Sequence, residues 1–299
     1  RSVVFRYSSI MSARNKYYLM LLGVALIWGF AGPVIKATEQ EISPLLFLTY
    51  RFYLSSLIAL IFFILNPPKI TLTPLLIVFA VLNAPLSLLL VFYGFSQTSA
   101  ITGTLLSATG PFVAGALGGI FLREHITRRE KIGLLIAFCG TVFIILFSGN
   151  NHSNANTFAG NLSIFGSVIL GFYAGILGKK LLRQGFSPLF LTNVSFLVGF
   201  LCLFPLLNPL SHLSLLNSVS LNAHLGVIYM ALFSGTLAYW LWFKAIKTIE
   251  VSEASMFLYL QPLFAAPIAI IFLGEKLTPA FIIGALLIAV GVFISEVKK

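Results

Sequence analysis

At 299 residues, with 59% hydrophobic and 9% charged side chains and a mean hydropathy of +1.00, the chain is too apolar for a soluble domain. The net charge of +11 suggests a polyanion partner at first sight. The basic residues, however, sit in short segments between apolar runs of about 20 residues, which is the membrane-orientation signal and needs no nucleic acid. There is no Asp, and all eight acids are Glu. Cys139 and Cys202 fall singly inside apolar runs, so they read as small packing residues, with no disulfide, metal site or cofactor expected.

In chain order, Arg1, Arg6, Arg14 and Lys16 precede the first apolar segment, and Met11 offers an initiator position. That segment is too long for a signal-peptide core and has a counterpart later in the chain, so it counts as a spanning helix. Ten spans follow from hydropathy: 18–37, 44–65, 73–96, 100–122, 131–148, 161–182, 188–207, 222–246, 252–273 and 279–297. The organising feature is a repeat. The stretch ATGPFVAGALGGIFLREHITRREKIGLLIAFCGTVFII returns as YLQPLFAAPIAIIFLGEKLTPAFIIGALLIAVGVFISE. A shift of 151 places Pro111 on Pro262, Glu124 on Glu275, Gly133 on Gly284 and Gly140 on Gly291. A shift of 144 places Ser43-Pro44 on Ser187-Pro188 and Trp28 on Phe172.

The expected organisation is therefore a tail (1–17), a first five-helix unit (18–148), a polar external linker (149–160), a second unit (161–297) and a short end (298–299). An odd number of crossings per unit makes the second copy enter from the other side. With both termini cytoplasmic, sixteen basic residues lie inside and two, Lys36 and Lys276, outside, leaving Arg51 within a helix. The fold class expected is all-α integral membrane: ten transmembrane helices as two inverted five-helix repeats, an architecture common among secondary transporters.

At this point the resemblance becomes specific. The first span ending ALIWGFAGPVIKA, the second with SPLLFLTYRF, and PLFAAPIAIIFLGEKLT before a glycine-spaced last helix resemble the EamA family of the drug/metabolite transporter superfamily. The resemblance covers residues 18–297 and implies ten helices, cytoplasmic ends, and export or facilitated movement of small metabolites, often amino acids.

Several residues are candidates for the work. Polar and aromatic side chains near mid-span suit a buried solute site, and Trp28, Asn83, Tyr239, Tyr259 and Gln261 are the ones selected. Ser87, Tyr93, Tyr173, Asn193, Ser234 and Trp240 are weaker choices, and Trp242 is discounted as interfacial. Arg51 is a basic residue well inside a span, which is expensive. It could snorkel outward, pair with Glu39 or Glu41, or capture a substrate carboxylate. Pro111 and Pro262 are either fixed kinks or a pair of hinges, one per repeat. Glu124 and Glu275 read as structural residues that satisfy neighbouring helix ends. Gly115/Gly119, Gly171/Gly175, Gly133/Gly140 and Gly284/Gly291 mark close-packing faces, within the chain or in a dimer. Asn151-His152-Ser153 fits a glycosylation sequon.

No span carries a mid-membrane Asp or Glu, which disfavours a proton-driven pump. The reading is a secondary transporter, not an enzyme, moving a small amino acid-like solute across a bacterial inner (plasma) membrane as exporter or facilitator. The expected partners are the solute and the lipid bilayer, with no nucleic acid and a monomeric state, a dimer being the alternative. A proton-coupled multidrug or nucleotide/sugar-type exchanger is the second reading, and a membrane scaffold or receptor the third.

Overall fold

The computed structural model describes residues 2–65, 67, 72–123, 127–147, 155–207 and 218–296. Glu124, the sequon at Asn151 and the first half of the linker lie outside the described residues. The chain is a bundle of helices: α1 (Ser2–Thr38), α2 (Pro44–Leu65), α3 (Pro74–Gln97), α4 (Ala100–Leu122) and α5 (Arg128–Phe147), then α6 (Ala155–Arg183), α7 (Pro188–Leu206), α8 (Leu221–Ile246), α9 (Val251–Leu273) and α10 (Pro279–Glu296). Eight of these contain segments long and apolar enough to cross a bilayer, and α5 and α10 hold shorter apolar stretches, Lys131–Gly140 and Pro279–Gly291. Large apolar side chains such as Ile64, Ile120, Leu263, Ile271, Phe272 and Phe293 point outward. A water-soluble protein could not present such a surface, and lipid covers it.

Two boundaries move relative to the sequence reading. The first helix begins at Ser2 rather than after a tail, and α6 begins at Ala155, inside the expected linker. Cys139 and Cys202 are free and exposed on the outside of the bundle rather than packed within it.

Helix ends follow local chemistry. Pro44, Pro74, Pro188 and Pro279 open their helices at the first position, where a missing N–H costs nothing. Thr73, Ser99, Ser187 and Ser220 cap with side-chain oxygens that accept from the N–H three residues on. The ends of α4 and α9 match each other: Arg123 (φ 57°) and Gly274 (φ 64°) both turn left-handed. Each donates its backbone N–H to a carbonyl five residues back, Gly118 and Ala269 respectively. Only the second position holds the glycine that this conformation favours.

Helices α5 and α10 cross at their glycines. A Cβ on Gly140 would lie 2.8 Å from the Gly284 carbonyl oxygen, and one on Gly291 would collide with Gly133. The expected small-residue face is thus an intramolecular seam. Gly115 likewise meets Leu134 of α5. Gly171 and Gly175 both line a cavity, where a Cβ on Gly171 would stand 3.2 Å from the Ser87 hydroxyl and one on Gly175 would meet nothing within 4 Å.

That cavity separates two buried apolar clusters. One gathers Ile35, Leu46, Phe47, Ile101 and Phe281 near the end of the bundle where α1 finishes. The other gathers Leu21, Leu76, Leu181, Ile246 and Val251 toward the opposite end. Polar latches tie the helices at both ends. At the α1 C-terminal end, Glu41 accepts hydrogen bonds from the hydroxyl and backbone N–H of Ser220 at 2.6 and 2.7 Å. The Tyr50 hydroxyl lies 3.3 Å from Nδ1 of His224. The Glu275 carboxylate accepts from the N–H groups of Ala100 and Ile101 at 2.6 and 2.9 Å, so it caps α4 from the loop after α9. At the other end Arg14 forms an ion pair with Glu253 at 2.9 Å, and Glu253 also accepts from the Tyr18 hydroxyl.

Candidate functional site

Departures from regular helix surround the cavity. The third and eighth helices each contain a π-helical stretch, Leu82–Leu86 and Leu232–Leu237. Such a widened turn leaves carbonyls without their usual donors and often marks a functional position. The α8 stretch uses this freedom: the Ser234 carbonyl accepts from the Trp28 indole N–H at 3.0 Å. The Ala231 carbonyl accepts from the hydroxyls of Ser55 and Thr236, both at 3.2 Å. On α3 the π stretch holds Asn83, whose amide donates to the Ser195 hydroxyl at 3.1 Å, and Pro85 lies within the turn rather than breaking the helix. Just beyond it, the Ser87 hydroxyl donates to the Ser167 carbonyl at 3.1 Å.

The fourth and ninth helices are interrupted as well. Helix α4 breaks at Ala108-Thr109, and α9 passes through a 3₁₀ stretch, Met256–Leu260. Pro111 and Pro262 open the half-helices that follow, both at the second position and neither lining the cavity. Glycines let the first helix approach these breaks. A Cβ on Gly29 would stand 2.8 Å from Phe264 Cβ and 3.0 Å from the Gln261 carbonyl oxygen.

The space so enclosed, about 180 Å³, is walled mainly by apolar and aromatic groups. Five expected residues converge on it: Trp28 from α1, Arg51 from α2, Asn83 from α3, Tyr239 from α8 and Gln261 from α9. Trp28 meets Tyr239 edge-on at 5.2 Å and lies 5.8 Å from Trp242. Phe196 meets Tyr239 edge-on at 5.3 Å. Arg51 neither snorkels nor pairs with Glu39 or Glu41. It is 1% exposed, and its guanidinium carbon sits 5.5 Å and 5.7 Å from the ring centres of Phe92 and Phe196. Its Nε is buried with no hydrogen-bond partner.

Tyr259 does not reach the cavity. In a 3₁₀ turn residues three apart eclipse, so Leu258 and Gln261 share the cavity wall and Tyr259 turns to pack on the neighbouring cluster. Trp242, discounted by sequence depth, lines the space together with Phe172 and Ser167. Ser87 and Ser234 line it too. Trp240 stays outside, stacked by the Lys244 ammonium at 4.5 Å, and Tyr173 packs on Phe121. Asn193 is buried beside the site with both amide atoms unpartnered, but it does not line the space. Among the described residues no cluster of His, Cys, Asp or Glu could hold a metal ion.

Two acids outside the spans differ sharply. Hydrogen bonds from the Ser220 hydroxyl and then its backbone N–H hold the Glu41 carboxyl below the ordinary value. Burial pushes the Glu39 carboxyl up to about 8, against the pull of Lys36, and both its oxygens are buried without partners.

Comparison with known proteins then decides the family. The model of the EamA-like transporter family matches twice, at residues 15–146 and 158–296. The chain belongs to the EamA-like transporter family. As a member it is an integral protein of the inner membrane that transports small molecules, with the bilayer as its surround. Its similarity is to transporters rather than to enzymes. It is 28% identical to the uncharacterized transporter YyaM of Bacillus subtilis, across 92% of each chain. It is 26% identical to a probable amino-acid metabolite efflux pump of Salmonella typhimurium, across 95% of each. A solved crystal structure superposes with a TM-score of 0.67 over 94% of this chain and 96% of the other. At 14% identity that likeness concerns the fold alone.

Proposed function

We propose that this protein is a secondary transporter that moves a small amino acid-like metabolite by alternating access, as an exporter or facilitator. In this reading the ten helices all span the membrane, as units 18–148 and 161–297 in inverted orientation, with both termini cytoplasmic. The observation that carries it is the cavity, because its wall is shared between the units. Trp28, Arg51 and Asn83 come from the first, and Ser167, Tyr239 and Gln261 from the second. A site shared by two units can be exposed to one side or the other as they rock. The interruptions in α3, α4, α8 and α9 supply places to bend, and Pro111 and Pro262 mark two of them.

The latches support the same reading. Glu275 and Glu41 join the units at one end, and Glu253 joins them at the other through Tyr18, beside its ion pair with Arg14 of the preceding segment. Sixteen basic residues on one side against two on the other support the orientation. The relative from Salmonella typhimurium supports the amino acid class. A monomer is sufficient, because the cavity is built from one chain.

Counterflow in proteoliposomes tests this function. Vesicles loaded with unlabelled amino acids should accumulate external tracer with no ion gradient, and Trp28→Ala or Gln261→Ala should slow the exchange. Failure to accumulate any amino acid would remove that class. Silence also with sugars, nucleotides and cationic drugs under a pH gradient would sink the carrier reading.

A further inference from the structure

Among the described residues the cavity is lined by one formal charge and by no carboxylate to balance it. Among its lining residues Arg51 is charged and no Asp or Glu appears. Tyr239, which lines the same space, is a phenol and supplies no negative charge. The nearest acids in sequence are otherwise placed: Glu41 is held by Ser220, and Glu39 is buried without a hydrogen-bond partner. A guanidinium taken out of water costs far more than two flanking rings return, and unpaired intramembrane charge is found where it has work to do. The Nε–H donor of Arg51 is buried without a hydrogen-bond partner. A guanidinium is a planar fork whose paired donors match the two oxygens of a carboxylate.

The opposite charge has no such counterpart. An ammonium in this space would meet the neutral oxygens of Asn83, Gln261 and Tyr239 but no carboxylate. A dry cavity of about 150 Å³ accepts a benzene ring, so about 180 Å³ suits one ring or branched chain with a small head group. The aromatic wall formed by Trp28, Tyr239 and Trp242 favours an apolar body.

We infer that the site selects a carboxylate on a small apolar body, that Arg51 is the residue that binds it, and that an amino group is tolerated but not read. The inference rests on the transporter reading for its biological use, though not for its binding chemistry. Amino acids and the corresponding acids lacking nitrogen are then equivalent ligands, while the corresponding amines are not.

The test uses the purified full chain with three molecules that share one ring and chain: phenylalanine, 3-phenylpropionate and phenethylamine. Binding is read by thermal stabilisation and by titration, with sodium chloride as the inorganic-anion control. The first two should bind within roughly tenfold of each other, and phenethylamine and chloride should not bind. Arg51→Gln should weaken both carboxylates by roughly 30-fold or more, the loss expected when one partner of a buried charge pair is removed. Arg51→Lys, which keeps the charge without the fork, should fall between and serves if the glutamine variant does not fold. Phenethylamine or chloride binding as well as phenylpropionate would overturn the inference. So would carboxylate binding indifferent to Arg51, or no binding by any ring, branched or short-chain carboxylate. Counterflow separates the two readings. Arg51-dependent carboxylate binding without exchange would overturn transport and leave the site standing. Exchange of amines that survives Arg51→Gln would do the reverse.

Discussion

Replacing Glu275 by alanine removes a cap that one half of the molecule places on the other. The carboxylate accepts from two successive N–H groups at the first turn of α4, at 2.6 and 2.9 Å. Neither N–H has a partner within its own helix. Hydrogen bonds to a charged group are worth about 1.5–3 kcal/mol each when dry, and a carboxylate at a helix N-terminus gains a further fraction of a kcal/mol. Glu275 is only half-buried, and water can replace part of what it supplies. The net loss should therefore sit near the upper range for helix caps, about 2 kcal/mol. For a chain of this size that corresponds to a fall in Tm of about 3 °C. Glu275→Gln keeps a neutral acceptor and should lose about half as much. The assay is thermal unfolding of the purified protein followed by tryptophan fluorescence. Lys276→Ala, exposed on the same loop, is the control. If Glu275→Ala unfolds no earlier than that control, the cap contributes nothing and the latch it represents is an accident of proximity.

Three further outcomes follow from single residues. Arg123→Gly should stabilise the protein by about 1 kcal/mol, because a left-handed residue with a Cβ is strained and glycine is not; Gly274→Ala should lose a similar amount, and both are read as Tm. Glu39→Gln should change the pH dependence of stability. A carboxyl raised from 4.5 to about 8 holds a proton in the folded state that the unfolded chain releases. Wild-type stability should therefore be full below about pH 4.5, fall as pH rises toward about 8, and then level off, while the glutamine variant stays flat across that window. Pro262→Ala restores an N–H at the second position of the half-helix after the 3₁₀ stretch. That should extend α-helical bonding backward, leave or slightly raise Tm, and slow counterflow if the break works as a hinge. An unchanged exchange rate would make the proline a marker of the break and not its working part.

What the sequence made legible here depended on whether a residue's role is local. The apolar runs, the N-terminal prolines and Ser or Thr caps, and the duplicated glycines are written in neighbouring residues. The structure places helices, caps and the α5–α10 seam accordingly. Trp28, Asn83, Tyr239 and Gln261 were legible as candidates because they are polar or aromatic groups at mid-span, and they converge on one cavity. Tyr259 was not, because its direction depends on two degrees of freedom that spacing cannot give: how far the 3₁₀ stretch extends, and the 120° step it imposes on each residue. A regular helix running from Val251 would leave Leu258 and Gln261 about 60° apart on one face rather than eclipsed. The 3₁₀ turn aligns them and excludes the tyrosine between.

Arg51 shows the same limit in electrostatic form. Sequence spacing offered Glu39 and Glu41 as partners, about two turns away on the adjoining loop. Pairing with either would have made Arg51 an architectural residue with its charge already spent. The structure gives Glu41 to Ser220 and leaves Glu39 buried without a partner of its own. What surrounds Arg51 instead comes from α3 and α7, where Phe92 and Phe196 read in sequence as two of 29 interchangeable phenylalanines. Rings at that distance attract a cation weakly and cannot neutralise it. The missing acid therefore carries more information than any residue present in the cavity. Among the described residues no acid lines the cavity, and on the inference drawn above the counter-charge to Arg51 is the carboxylate of the ligand.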